Sequence, residues 1–452
     1  MKLSEIKASL DDFWDEFKRV KTGLAGIVLL ILLVVVLIAE PVLIDYDEAS
    51  SRWRDQEYWE DSPVRAAPTW INLFSSKKLP ETQLIKPHEH TVEEVDGSSI
   101  VKASFFYNRT CDEPPQDVIF YWNIEIPKGS MISLNLLNPA GEEIELVRRG
   151  LSVGASRIRI PIGKEPEAVK IAKGILADRG IEGSELVDPT AVFFSEKGIY
   201  TIKAFLYLTE SPDSNEEMYL VVPGQVHGLL GTDNSKRDIW SGIVVGLKWA
   251  LLIGLLTAVV SVVIGVVYGV TSAYFGGWVD SLMQRIFEIF VSIPFLPIMI
   301  VLSAILKPSI WILIGLMCGL SWVGPVKTVR SIGLQIKEET YIEAAHAIGS
   351  SDRRIIFKHM VPMLIPYAFA SMALFVPSAI VTEATVSLLG LGDPTVVTWG
   401  QILHDAFNGG AVMHGLWWWV IPPGLAIAVV GMTFAFIGFA MDAILNPKLR
   451  TR

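Results

Sequence analysis

The sequence has few charged side chains and almost no cysteine. Charged residues make up 19% of the 452 positions and 51% are hydrophobic, whereas soluble domains carry about 25% charged residues. The high apolar content excludes a disordered chain, and two cysteines, Cys111 and Cys318, exclude a disulfide framework. Basic residues are outnumbered, with a net charge of −10, so we expect no nucleic-acid partner. A membrane protein with an acidic segment remains.

The sequence also lacks signals of nucleotide binding, catalysis and metal binding. It has no G-x-x-x-x-G-K-[ST] loop to hold nucleotide phosphates, and no nucleophile is paired with a base. His88 and His90 offer metal-ligand side chains, but no third ligand is evident, so a solvated loop is the favoured interpretation. We therefore expect no catalytic residues, no metal and no cofactor bound by this chain.

Long uncharged runs predict membrane spans. Six runs approach the ~18 residues of a spanning helix. They are Thr22–Ala39, Trp249–Val279, Ile289–Leu306, Pro308–Val326, Val361–Thr382 and Gly415–Met441. Lys18, Arg19 and Lys21 precede the first run, so the positive-inside rule places the N-terminus in the cytoplasm. The expected fold is an α-helical polytopic protein of the cell membrane with six transmembrane helices and both termini cytoplasmic.

The segment between the first two runs carries the acidity. Residues 45–240 hold 32 acidic and 21 basic side chains and would be extracytoplasmic. Alternating hydrophobicity and turn residues predict a β-rich, sandwich-like domain inserted between helices 1 and 2, with one helix at Glu165–Asp178. The predicted strands are Ser99–Tyr107, Asp117–Ile126, Ser130–Leu137, Glu142–Arg148, Ala155–Ile162, Ile199–Leu208 and Glu217–Val222. Asn108 begins an N-glycosylation pattern, which arises often by chance.

A short amphipathic helix is predicted in the cytoplasmic segment before the fifth run. Tyr341, Ala344, Ala345 and Ile348 recur at helical spacing, so one face is apolar and partly small. Such a face favours docking into a groove of another protein. Two alternatives remain: the helix lies on the membrane surface, or its alanines pack on the transmembrane base of the same chain.

The residues after this helix predict a turn and a second helix. Gly349 is placed to end the first helix, Ser350 to cap the next, and Asp352 to favour its positive end. The second helix then leads to Pro362, at the start of the fifth run.

These residues resemble a known family. Glu343-Ala344-Ala345 followed by Gly349 resembles the EAA loop of ABC importer permeases. Further segments are similar to the C-type permease of the dipeptide/oligopeptide/nickel class: Gly231–Asp233 with Arg237-Asp238, Tyr274–Asp280, Ile355–His359, Ser387–Gly392, Thr398–Gly400 and Pro423-Gly424. The resemblance covers residues 227–448. Lys236 departs from it by replacing the usual glycine, and His359 stands where the general pattern has isoleucine.

The resemblance implies a function and partners. The chain would be a permease subunit, not an enzyme, of an ABC importer for oligopeptides or oligosaccharides delivered by an extracytoplasmic substrate-binding protein. It would pair with a second homologous permease in membrane lipid and with two ABC ATPase subunits that bind ATP and Mg. The residues implied to couple it to an ATPase are Tyr341, Glu343, Ala344, Ala345, Gly349 and Asp352.

Other residues within or beside the runs are candidates for further roles. Ionisable side chains there are functional candidates by default, and Lys248, Glu288 and Glu383 are assigned to translocation or gating. Small residues allow helices to approach closely. The helix-packing candidates, either within the chain or against the second permease, are Gly265, Gly269, Gly424, Gly431 and Gly438.

The predicted organisation has five parts. They are a cytoplasmic segment 1–21, transmembrane helix 1 at 22–44, the extracytoplasmic β-rich domain 45–225, the permease domain 226–448 with its coupling loop 327–360, and a tail 449–452. The alternative functions are a secondary transporter and a membrane ligand sensor. For the β-rich domain, docking of the binding protein competes with a passive cover that stabilises the complex from outside. Docking is favoured over sugar stacking on exposed Trp53, Trp59 and Trp70.

Overall fold

The computed structural model describes residues 16–44, 50–95, 98–123, 127–152, 157–180, 187–209 and 217–445. Two compact units make up the chain. The helical unit joins residues up to Arg54 with those from Ser241 onward, and the β-rich unit runs from Asp55 to Trp240. Predicted features at 1–15, 124–126, 155–156 and 446–452 lie outside the described residues.

The α-helices are, in chain order, α1 Lys21–Leu43, α2 Pro166–Asp178, α3 Pro189–Phe193, α4 Ile239–Phe275, α5 Gly277–Ser292, α6 Phe295–Ile305, α7 Ile310–Ser321, α8 Val326–Lys337, α9 Thr340–Ala347, α10 Asp352–Arg354, α11 Ile365–Leu388, α12 Trp399–Asn408 and α13 Trp417–Leu445. A π-helical turn at Ile355–Met360 and a 3-10 turn at Val361–Leu364 join α10 to α11. Helices α2 and α3 belong to the β-rich unit.

Four of the six predicted spans coincide with long apolar helices. The helical stretches long and apolar enough to cross a membrane are Lys21–Leu43, Ile239–Phe275, Asp352–Leu388 and Trp417–Ile444. Helix α4 ends at Phe275 rather than Val279 because Gly276 and Gly277 both take positive φ, which interrupts the helix.

The other two predicted spans are not confirmed as single straight helices, because each belongs to a bent pair of helices. The run Ile289–Leu306 is divided between α5 and α6, which are bent by 77°, and the run Pro308–Val326 ends where α7 gives way to α8 at a bend of 48°. Pro294 and Pro325 stand at these breaks. Proline interrupts a helix because it lacks a backbone N–H and restricts the conformation of the residue before it. The described chain has four candidate spans, or up to six if each bent pair counts as one.

The β-rich unit consists of two antiparallel sheets. The strands are β1 Gln83–Ile85, β2 Glu89–Val95, β3 Ser98–Arg109, β4 Ile119–Asn123, β5 Met131–Leu137, β6 Glu143–Gly150, β7 Arg157–Pro161, β8 Gly198–Leu208 and β9 Glu217–Val222. One sheet has the order β1-β9-β4-β7 and the other β2-β3-β8-β5-β6. Alternate residues of β3 are buried, and the Phe105 ring meets Phe120 of the other sheet edge-to-face at 6.0 Å. The two sheets therefore share one core.

Most strand predictions are confirmed to within a few residues, as is the helix at Glu165–Asp178, which appears as α2. Strand β2 was not predicted, because it lies at a sheet edge with exposed Glu, His and Thr side chains and has no buried alternation to read. Of the three tryptophans predicted to be exposed, two are buried: Trp53 and Trp59 are only 4% and 7% exposed. Trp70 is 36% exposed, as predicted, and its Nε1 donates to the Leu229 carbonyl at 2.9 Å.

Candidate functional site

Helix α9 carries the candidate coupling residues and faces the protein with only one side. Ile342 and Ala345 are buried, and they pack in a core with residues of α4, α8 and the π-helical turn. Tyr341, Ala344 and Ile348 are exposed, and Ile348 is 82% exposed. The predicted apolar face is therefore corrected: its member Ala345 packs against its own chain, while the other three residues point outward.

The turn after α9 has a complete helix-ending hydrogen-bond pattern. The Gly349 N–H donates to the His346 carbonyl at 3.0 Å, and the Ser350 N–H donates to the Ala345 carbonyl at 3.0 Å. These bonds form a Schellman motif, in which the residue after the helix takes a left-handed conformation. Gly349 has φ +77°, so its predicted role as helix stop is confirmed. The next N-cap is Ser351, not Ser350, because the Schellman turn uses Ser350 as its final donor.

The last residues of α4 contact both sides of this turn. The Tyr274 hydroxyl donates to Asp352 Oδ1 at 2.6 Å, and His346 Nε2 lies 3.1 Å from the Tyr274 hydroxyl oxygen. The rings of Tyr274 and His346 are stacked, with centroids 6.2 Å apart. A pocket of 520 Å³ opens beside them, and Glu343 lines it. Among the described residues Glu343 has no ion-pair partner, so its exposed carboxylate is available to another molecule.

A second polar contact joins the start of α5 to α8. Arg330 donates to both carboxylate oxygens of Asp280, from Nε at 2.8 Å and from Nη2 at 2.5 Å. Ser272 also donates to Asp280, and Gln284 donates to Ser272. Arginine and carboxylate match geometrically in this two-bond arrangement, which fixes orientation as well as distance.

Glu383 is buried inside the helical unit. It is 4% exposed, and its Oε1 accepts hydrogen bonds from Ser387 Oγ at 2.7 Å and Thr398 Oγ1 at 2.8 Å. Thr398 is also the N-cap of α12, accepting from the Gln401 N–H. The carboxylate thus joins two of the sequence segments that carry the family resemblance, a contact that sequence spacing did not predict.

Close backbone approach explains the glycines of these segments. A Cβ at Gly400 would lie 2.7 Å from Ala384 Cα, and one at Gly392 would lie 2.6 Å from Gln401 Nε2. Only residues without a side chain fit between α11 and α12 at these points.

The other two translocation candidates lie elsewhere. Glu288 is exposed and accepts from Arg285 Nη1 at 3.1 Å, one helical turn away. Lys248 is exposed on α4. The structure does not bring Lys248, Glu288 and Glu383 into one cluster.

The helix-packing glycines divide into two groups. Gly265 and Gly269 lie against α8 and the residues before it, where a Cβ would meet Pro325 and Val329, and Gly438 lies against Leu374 of α11. Gly424 has open space around it, and Gly431 has only a loose contact with Pro377. Two glycines that sequence reasoning missed, Gly23 and Gly26, allow α1 to approach Ala440 and Ile437 of α13.

The Gly231–Asp238 segment forms a buried turn in the β-rich unit. Arg237 Nε donates to Asp233 Oδ2 at 2.6 Å, and the Arg237 and Ser235 N–H groups donate to Oδ1. Burial raises the pKa of Asp233. Lys236 has φ +68°, a conformation that favours glycine. This conformation explains why the resembling family usually has glycine at this position.

The remaining candidates show no common site. His88 is tilted against the Phe106 ring, and Asn108 is exposed on β3. Cys111 and Cys318 are both free thiols. Within the described ranges, no group of three His, Cys, Asp or Glu side chains could hold a metal ion.

Comparisons with known proteins give consistent matches. Residues 261–451 match the family "Binding-protein-dependent transport system inner membrane component". The chain is 32% identical over 230 residues to the dipeptide transport system permease protein DppC of Bacillus subtilis, covering 51% of this chain and 71% of the relative. It is 34% identical over 221 residues to the oligopeptide transport system permease protein OppC of the same organism, covering 49% and 72%.

A third relative and a solved structure are also similar. The oligopeptide transport system permease protein OppC of Haemophilus influenzae is 35% identical over 221 residues, covering 49% of this chain and 70% of the relative. A chain of the MetNI methionine ABC transporter, in an inward-facing conformation, has 20% identity and a TM-score of 0.33, covering 47% of this chain and 97% of its own. The sequence matches, not this low TM-score, show the family.

Proposed function

Because this chain belongs to the family of ABC importer permeases of the dipeptide and oligopeptide class, we propose that it forms the membrane path of an ATP-driven importer for peptides. The relatives reported above are named for dipeptide and oligopeptide transport. Oligosaccharide has no such support, and two of the three tryptophans that favoured it are buried. Peptide is therefore the proposed cargo.

The observation that carries the coupling proposal is the exposed side of α9. Tyr341, Glu343, Ala344 and Ile348 point away from the chain, although an apolar side chain such as Ile348 normally gains by burial. A short helix with a small, apolar centre and one free carboxylate fits a groove on a partner. We propose that this partner is an ABC ATPase, and that ATP and Mg bind to the ATPase rather than to this chain.

The complete importer proposed here has two permeases, two ATPases and a binding protein. Gly424 leaves an open position on α13 where a helix of the second permease can approach. The acidic β-rich unit is proposed to lie outside the membrane and to dock the binding protein, with α9 in the cytoplasm. Deletion of residues 50–222 should weaken the binding protein's affinity, and an unchanged affinity would refute docking.

Copurification and ATP hydrolysis test the central proposal. The tagged chain, purified from its own host, should bring two ATPase subunits and a second permease with it. ATP hydrolysis by that complex in proteoliposomes should rise when an oligopeptide-loaded binding protein is added. If the chain purifies without ATPases, or if transport follows an ion gradient without ATP, the chain is not an importer permease of this kind.

Cysteine labelling tests the orientation. In a Cys111→Ser background, Ile348→Cys should react with a membrane-impermeant maleimide only in inside-out vesicles, whereas Glu142→Cys, on the β-rich unit, should react only in right-side-out cells. The opposite pattern would reverse the proposed topology.

A further inference from the structure

The turn between α4 and α5 carries the segment Tyr274–Asp280, to which the proposed function gives no role. Its first residue binds the elements on both sides of the Gly349 turn, through His346 and Asp352. Its last residue, Asp280, binds Arg330 of α8, the helix that leads into α9. One short segment is thus attached both before and after the candidate coupling helix.

We propose that Tyr274–Asp280 clamps the coupling helix to the end of α4, and that the Tyr274 hydroxyl is the positioning group that couples ATP hydrolysis to transport. This inference rests on the proposed coupling role of α9. Tyr274 does not touch a partner in this scheme. It holds α9 and α10 in a fixed relation to α4, so that movement of the coupling helix moves a membrane helix with it.

The dimensions of α9 explain why a polar clamp is needed. The helix has eight residues, fewer than the ~12 at which isolated helices begin to be stable. Only Ile342 and Ala345 are buried beneath it, so its packing area is small. Tyr274 is 6% exposed whereas Asp352 is exposed, so the bond is part-buried, and its donor is held in place by the surrounding core.

The turn itself is suited to a fixed attachment. Gly276 has φ +64° and Gly277 has φ +52°, conformations that residues with a side chain rarely adopt. These two glycines reverse the chain within two residues, which places Tyr274 and Asp280 on one short, constrained segment. The motif residues are therefore explained together, as two attachment side chains and the turn between them.

Tyr274→Phe tests the proposal, with Tyr268→Phe as the matched control. Both tyrosines are on α4 and lose one hydroxyl, but the Tyr268 hydroxyl donates to the Met283 carbonyl of α5 at 2.5 Å and does not reach the coupling helix. In the reconstituted complex, Tyr274→Phe should lower the peptide transported per ATP hydrolysed by about tenfold, the factor expected for loss of one hydrogen bond to a charged group. Tyr268→Phe should leave that ratio within about twofold of the wild type.

Two results would overturn the clamp. One is an unchanged ratio in Tyr274→Phe, and the other is an equal fall in both variants, which would show general loosening of α4. Wild-type complex without peptide-stimulated hydrolysis would instead contradict the proposed function itself, so the two failures are distinguishable.

A pair of substitutions at Asp352 keeps the test decisive if Tyr274→Phe does not assemble. Asp352→Asn retains an oxygen that accepts from the tyrosine, whereas Asp352→Ala does not. Asp352 is also a candidate contact of the ATPase, so the two variants are compared at equal ATPase copurification. The clamp then predicts that the asparagine variant transports more peptide per ATP than the alanine variant. Equal ratios in the two variants would refute the role of this bond.

Discussion

The left-handed conformation of Gly349 gives a prediction that separates backbone geometry from side-chain contact. The residue ends α9 with φ +77°, and a Cβ built there would meet no other atom within 4 Å. Any effect of substitution within this chain must therefore come from the backbone conformation, because no steric clash is available.

The magnitude follows from that conformation. A left-handed backbone costs a residue with a Cβ about 1–2 kcal/mol, so Gly349→Ala should lower the ratio of native to non-native turn by about 5- to 30-fold. Asparagine adopts this region several times more readily than other residues, and β-branched valine adopts it least. The predicted order of damage is therefore valine, then alanine, then asparagine.

The assay is peptide transported per ATP hydrolysed by the purified complex in proteoliposomes. Hydrogen exchange at the Gly349 and Ser350 amides, which donate the two turn bonds, should quicken in the same order. Gly315→Ala serves as the control, because that position also has open space and has no positive φ. It should leave both measurements unchanged.

Equal damage by alanine and asparagine would refute the conformational explanation. That result would show that any added side chain clashes with the partner bound to α9. Full coupling in Gly349→Val would show that the shape of this turn is not needed.

Three further predictions concern buried contacts in the two units. Glu383→Ala should destabilise the detergent-solubilised chain by about 1–3 kcal/mol, because the Ser387 and Thr398 hydroxyls lose their acceptor, whereas Glu383→Gln keeps an acceptor and should lie close to wild type in thermal unfolding. Gly265→Ala should lower the free energy of unfolding by about 1–3 kcal/mol through overlap with Pro325. Gly424→Ala should leave the stability of the chain unchanged and should weaken copurification of the second permease. A stable Gly265→Ala chain together with a destabilised Gly424→Ala chain would contradict both packing assignments. Burial raises the pKa of Asp117, so its carboxyl favours folding below the unfolded pKa of about 3.9, and this contribution is lost as the pH rises through the folded value. Asp117→Asn, which keeps an oxygen for the Val118 and Gly163 N–H groups, should therefore raise the unfolding temperature at pH 7 but not at pH 3.5, and an equal gain at both would exclude charge burial as the cause.

Sequence patterns predicted the parts of the fold in which one physical signal dominates. Alternating hydrophobicity predicted β3 and β8, in which alternate residues are buried, and uninterrupted apolar composition predicted α1, α4 and α13. The predictions were wrong where a single proline outweighed composition, as at Pro294. Apolar content measures whether a segment tolerates lipid, but it does not report whether the segment is straight.

The site was predicted in part. The spacing from Tyr341 to Ile348 gave the helix, and Gly349 gave its end, because helix termination has a local signature. The pattern could not show which side of α9 faces its own chain, because Ile342 and Ala345 are buried by helices that are distant in the sequence. The Tyr274–Asp352 and Glu383–Thr398 bonds have no sequence signature at all. The positive φ at Lys236, however, could have been inferred from the glycine that is usual there.

The unbroken helical stretch from Asp352 to Leu388 has a mechanical consequence. At 1.5 Å per residue, the 31 steps from Asp352 to Glu383 correspond to a rod roughly 46 Å long. The bond from Tyr274 lies at one end, and the bonds of Glu383 to Ser387 and Thr398 lie near the other. A rod delivers a push along its axis with little loss, but it yields where its hydrogen bonding is irregular. Two parts are irregular: Ile355–Leu364, which comes shortly after Asp352, and the turn around Pro377, where a backbone N–H is missing inside α11. Under the proposed coupling, bending is therefore concentrated at these two points, and the segments between them move as stiff bodies.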